Sequence, residues 1–163
     1  MTVDEVCLNE AMLAAAAEVF ETMIFMDIRE SLAQDCPPKG STLLGSITFT
    51  GDIEGCLGIC CSVPCAKAIA QNMLGLAETD ELGEAEITDA IGEVVNMVMG
   101  SVKSRIQGKV GSLNVSIPTV VRGQSLDSSI GDRTNPTNRV LTKLNIADEH
   151  TAELCLQYRQ RTE

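Results

Sequence analysis

Asp89-Ala90-Ile91-Gly92-Glu93-Val94-Val95-Asn96-Met97-Val98-Met99-Gly100-Ser101-Val102-Lys103 is the stretch that decides how this chain reads. Wound on a helix at about 100° per residue, it separates into two faces. Ile87, Ile91, Val94, Val95, Val98, Val102 and Ile106 gather on a broad apolar side that belongs against a core. Steps of four, three, four and three residues return Asp89, Glu93, Asn96, Gly100 and Lys103 to the opposite side. A carboxylate and an amide, Glu93 and Asn96, therefore leave the rod together. Gly92 and Gly100 each cost up to about 1 kcal/mol relative to alanine, and neither ends the helix. A missing side chain at Gly100 leaves a notch one turn beyond Asn96, where another backbone or a ligand can approach. Met97 and Ala90 flank the polar pair and offer apolar contact. Periodicity by itself also allows a plainer reading, with Glu93 and Lys103 as solvated charges, Asn96 as an incidental polar residue and the glycines serving packing.

Outward from this helix, predicted over about 84 to 107, the chain alternates helical and strand-like patterns. Apolar residues recur at three- and four-residue intervals from Leu8 to Ile28, which predicts a first amphipathic helix. Cys36-Pro37-Pro38-Lys39-Gly40 breaks the chain. Thr42 to Thr50 and Gly55 to Val63 read as strands joined by a hairpin turn over Gly51-Asp52-Ile53-Glu54-Gly55. Pro64 to Leu74, with Ser62 as cap and Gly75 as stop, predicts a short helix. Glu78, Asp80 and Glu81 then gather before the positive end of the long helix. Leu113 to Val121 reads as a strand interrupted or bounded by Pro118. Gln124 to Asn138 reads as a long loop or hairpin connection, and Arg139 to Ile146 and Ala152 to Arg159 as a last strand pair. The expected fold is α+β, an antiparallel sheet packed against helices, in a single domain spanning 1–163.

Acidic residues outnumber Lys and Arg by 23 to 12, a formal net charge of −11, which opposes binding to nucleic acid or anionic lipid. Met1 to Glu10 carries acidic groups and no long apolar core, so neither a secretory signal nor a membrane span is expected, and the protein is expected in the cytoplasm. Of seven cysteines, Cys56, Cys60, Cys61 and Cys65 fall within ten residues. Their spacing departs from that of structural zinc sites, which separate two close pairs by a distant gap. Core packing of reduced thiols is the simpler reading, with no metal bound by this chain.

The run from Asp89 to Lys103 resembles the Glu-x-x-Asn helix of the CheC, CheX and FliY phosphatase family. CheX is the nearer pattern: Ile47 to Gly58 looks like its strand, glycine turn and strand, Ala66 to Gly75 like its helix ending in Met-Leu-Gly, and Ser116-Ile117-Pro118-Thr119-Val120 like its strand after the catalytic helix. The resemblance implies hydrolysis of the aspartyl phosphate on a CheY-like response-regulator receiver. Receivers of this kind hold phosphate beside a divalent metal and a lysine. Asn96 is then the residue that orients the attacking water, and Glu93 the one that pairs with the receiver lysine. Asp89, Met97, Gly100 and Lys103 would contact the partner. No cofactor is expected on this chain, and Mg2+ is expected on the receiver. CheX-like members also form homodimers through their sheets, which is the expectation here.

CheC-type members resemble two copies of this helix, whereas the first helix here reads Glu18-Val19-Phe20-Glu21. Glu21 stands where asparagine is needed, and a carboxylate cannot both donate and accept as an amide does. One active helix is therefore expected, with Glu18 and Glu21 solvated. Two other readings stay open: a non-catalytic module of the same fold that docks on a receiver or flagellar-switch component, and a thiol or metal sensor built on Cys56, Cys60, Cys61 and Cys65.

Overall fold

The structure is a computed structural model that describes residues 4–31, 40–124, 126 and 138–161. The chain runs α1 (Glu5–Val19), a π-helical turn (Phe20–Ile24), β1 (Ile28–Glu30), β2 (Ser41–Gly51), β3 (Ile53–Ser62), α2 (Val63–Met73), α3 (Glu84–Val110), β4 (Leu113–Val115), β5 (Thr119–Gln124), β6 (Asn138–Ile146) and β7 (His150–Gln160). Among the described residues, seven strands form one sheet in the order β1-β6-β7-β3-β2, with β4 and β5 both pairing β2. Every pairing is antiparallel. The expected α+β fold is the observed one.

Local chemistry accounts for the element boundaries. Ser62 caps α2 by accepting a hydrogen bond from the Cys65 N–H at 3.3 Å, with Pro64 in the first turn where no N–H is needed. Gln71, buried on α2, donates to the Glu78 and Asp80 carbonyls at 3.1 and 2.9 Å and so fixes the acidic loop ahead of α3. Glu84 and Glu86 lie in the first turn of α3, and the Glu86 carboxylate accepts from the Gly83 N–H at 2.8 Å. Gly111, at φ 67°, ends the helix in a backbone conformation that few other residues adopt.

Cross-strand partners share a face of the sheet, so Thr142, Leu154, Ile59, Gly45 and Val120 form one row across β6, β7, β3, β2 and β5. Asn9 of α1 accepts a hydrogen bond from Thr142 at 2.7 Å, and Ile91 of α3 sits over Gly45 and Ile59. Both helices therefore cover the same face. Cys65 of α2 contacts Cys61, which lies on that face beside Leu43. Leu8, Met12, Phe20, Ile47, Phe49, Leu57 and Ile69 complete a core between sheet and helices. At Gly45 the helix sits close on the sheet, because a Cβ there would stand 2.9 Å from Ile91 Cγ2.

Several boundaries differ from expectation. The first helix does not reach Ile28: it loosens into the π turn and stops at Phe25, whose left-handed φ of 60° reverses the chain. Ile28 instead opens β1 against Ile146. The first hairpin is tighter than predicted, since β3 already starts at Ile53 and Gly55 pairs Phe49. Residues 113–121 are two strands separated by Ser116, Ile117 and Pro118. The expected break at Cys36 to Lys39 and most of the Gln124 to Asn138 connection lie outside the described residues.

Helix α1 is tied to α3 by Glu18, which accepts from Arg105 Nη2 and from Ser101 Oγ, each at 2.7 Å. The Ser101 hydrogen bond and then the Arg105 guanidinium hold its carboxyl below the usual glutamate range. Its contribution to stability is therefore present above about pH 4.3 and fades as pH falls through the lower folded value. Glu18→Gln should melt below the wild type at neutral pH, with the two curves converging in acid. A gap in melting temperature that stays constant with pH would show that the carboxylate is not the stabilising group. Gly45→Ala should lower stability by about 1–3 kcal/mol in chemical denaturation, because α3 must lift or Ile91 must leave its rotamer.

Candidate functional site

Helix α3 spans twenty-seven residues and has a buried and an open side, as its periodicity predicts. Ile87, Ile91, Val94, Val95, Val98, Val102 and Ile106 are all buried, joined by Ala90, Gly92, Met99 and Val110. Glu93, Asn96, Asp89 and Gly100 are exposed, and Lys103 is half-buried. The two site side chains stand one turn apart, roughly 5–6 Å between Cβ atoms. Among the described residues, no hydrogen bond or ion pair engages the side chain of Glu93 or Asn96.

The flanks of the pair differ from expectation. Ala90 is buried in the core and offers no contact surface, while Met97 is half-buried and packs partly inward. Both lie toward the edge of the apolar stripe, where the helix turns under. Gly92 faces β5 and its approach: a Cβ there would meet Val120 Cγ2 at 3.6 Å and Pro118 Cγ at 3.9 Å. At Gly100 a Cβ would meet nothing within 4 Å, so the notch opens to solvent. The segment at Ser116 to Pro118 thus lines one side of the site. The proline inside a strand-like run was the signal available for it in the sequence.

Helix α1 carries no comparable pair. Glu18 is not simply solvated, since it is committed to Arg105 and Ser101, and Glu21 is exposed on the π turn. The four clustered cysteines are dispersed by the sheet. Cys56 and Cys60 pair Thr48 and Leu44 on the face away from the helices, whereas Cys61 faces the helices and meets Cys65 of α2. All four are buried. Hydrogen bonding to Cys65 and burial push the Cys61 thiol well above its usual range, which keeps it a thiol. Among the described residues, no three His, Cys, Asp or Glu side chains group to hold a metal ion. No described helix is long and apolar enough to cross a membrane.

The chain is similar to several known proteins and to one family. A protein described as the CheY-P phosphatase CheX of Thermotoga maritima is 33% identical over 85 residues, covering 52% of this chain and 54% of that protein. The chain thus spans about half the length of that relative. The crystal structure of the chemotaxis protein CheX from Vibrio vulnificus aligns over 97% of this chain and 100% of its own, with a TM-score of 0.75 and 24% identity. CheX in the CheX–CheY–BeF3–Mg2+ complex of Borrelia burgdorferi aligns over 98% of this chain and 100% of its own, with a TM-score of 0.71 and 18% identity. Residues 43–136, which include all of α3 and the strands it rests on, match the family described as chemotaxis phosphatase CheX. That match covers more than half of the sequence, and the chain belongs to the CheX family of chemotaxis phosphatases.

Proposed function

We propose that this chain hydrolyses the aspartyl phosphate of a CheY-like receiver domain, acting through Asn96 and Glu93. The observation that carries the reading is an amide and a carboxylate side by side on a long helix, exposed and unengaged by other described groups. The relatives point the same way, since one is described as a CheY-P phosphatase and another was crystallised with CheY, BeF3 and Mg2+.

The chemistry demanded of the chain is modest. In hydrolysis a water oxygen bonds to phosphorus, the bond from phosphorus to the aspartyl oxygen breaks, and carboxylate and inorganic phosphate separate. An acyl phosphate has a good leaving group, so no strong general acid is needed. The receiver supplies the electrophile, and its metal and lysine neutralise charge. Placing the water remains. The Asn96 carbonyl accepts a hydrogen bond from water while its N–H group can donate to a phosphoryl oxygen, which sets the nucleophile in line. Glu93, repelled by the phosphoryl group, pairs with the receiver lysine and fixes the docking register. Asp89, Gly100 and Lys103 continue the same open side and complete the contact, with Met97 at its margin. Mg2+ belongs to the receiver in this scheme, and the expected sheet-mediated homodimer and cytoplasmic setting are part of the same proposal.

Asn96→Ala should lower kcat for phosphate release from an Mg2+-loaded, acetyl-phosphate-treated CheY receiver by about 100-fold or more, while the folded structure survives. Glu93→Gln should act chiefly on affinity, raising KM about tenfold. Unchanged phosphate release by Asn96→Ala would remove the catalytic reading and leave a docking module. Gly100→Ala should stabilise α3 by up to about 1 kcal/mol, since the new methyl meets open space. It should nonetheless weaken receiver binding, because that space is where the partner approaches.

A further inference from the structure

We infer that Ile117, ejected by a β-bulge beside α3, is an apolar docking residue for the receiver domain. This rests on the phosphatase reading above and adds a specificity determinant to it. The bulge follows from the register of β2 with its two partners. Phe49 pairs Val115 and Ser46 pairs Thr119, so Ile47 and Thr48 on β2 face three residues, Ser116, Ile117 and Pro118. Ser116 takes the place opposite Thr48, donating its N–H to the Thr48 carbonyl at 2.9 Å and accepting the Thr48 N–H on its hydroxyl at 3.0 Å. Ile117 and Pro118 together therefore stand opposite Ile47. An extra residue of this kind bends the strand and re-aims a side chain, and such bulges recur next to active sites.

The two surplus residues take different roles. Pro118 packs inward, its Cγ within 3.9 Å of the point where a Cβ on Gly92 would stand. Gly92 precedes Asn96 by four residues, about 40° away around the helix, and is buried at the margin of the open side, so the bulge borders that side next to the polar pair. Ile117 is 86% exposed, more than any other large apolar residue described. A lone exposed isoleucine needs no explanation in general. This one is held on a short, fixed link: Ser116 Oγ donates to the Ile117 carbonyl at 3.1 Å, and the following proline confines Ile117 to extended backbone. Rigid presentation lowers the entropy lost on docking. A receiver seated on Glu93 and Asn96 would meet this side chain at the rim, where Val115 adds partly exposed apolar surface.

The test separates affinity from chemistry. Ile117→Ser should raise KM for the phosphorylated CheY receiver about tenfold at nearly constant kcat, as loss of uniform binding does. It should weaken binding of the receiver loaded with beryllofluoride and Mg2+ by a similar factor. Ile117→Leu should recover most of the loss. Leu74→Ser, at an exposed apolar position on the end of α2, should leave KM unaltered. Melting temperatures should match throughout, because Ile117 contributes little to the core. If the wild type accelerates dephosphorylation and Ile117→Ser stays within about twofold of it in KM, the docking role is overturned and the phosphatase reading stands. If the wild type neither binds nor dephosphorylates the receiver, both fall together.

Discussion

The contact of Ile91 with Gly45 governs the rest of the molecule. A helix laid on a sheet can rotate about its own axis, and a rotation of one residue, about 100°, would turn one of Glu93 and Asn96 toward the strands. The close seat at Gly45, in a row with Ile59 below and Val120 beside, removes that freedom. Apolar packing on one side of α3 thereby aims polar side chains on the other. The site needs no hydrogen-bonded scaffold of its own, and its two polar side chains remain available for groups on another protein.

In the proposed scheme the first helix offers no second site. Its carboxylate at Glu18 faces Arg105 and Ser101 of α3, so the charge is spent inside the molecule. The amide that would have accompanied it is Glu21. The exposed Glu93 on α3 and the Glu18 of α1 thus differ: one is open to solvent, the other braces the two helices. Beside α3, the bulge before β5 exposes Ile117, the apolar element that the inferred docking adds to the polar pair.

Much of this was legible in the sequence. The long helix, its two faces, the hairpin of β2 and β3, the capped α2 and the last strand pair all follow from local periodicity and turn chemistry, which depend on near neighbours. What was not legible depends on distant ones. Strand β1 exists because Ile28 meets Ile146, and nothing in residues 24–30 breaks the helical pattern before it. Ala90 reads as a flank of the polar pair on a helical projection, yet tertiary packing buries it in the core. The bulge is a mismatch of count between segments far apart in the chain, to which Pro118 alone gives a local hint. Cysteines close in sequence were separated because successive residues of a strand face opposite ways.

In the proposed mechanism the Asn96 amide enters the phosphorylation pocket of a receiver. Nitrogen-15 NMR of the side-chain NH2 groups, recorded as a CheY receiver loaded with beryllofluoride and Mg2+ is added, tests it directly. The Asn96 pair should shift or broaden with saturation, while that of Asn72, whose Nδ2 donates to the Phe25 carbonyl at 3.4 Å, should stay in place. An Asn96 signal that does not move while the receiver binds elsewhere would put the amide outside that pocket.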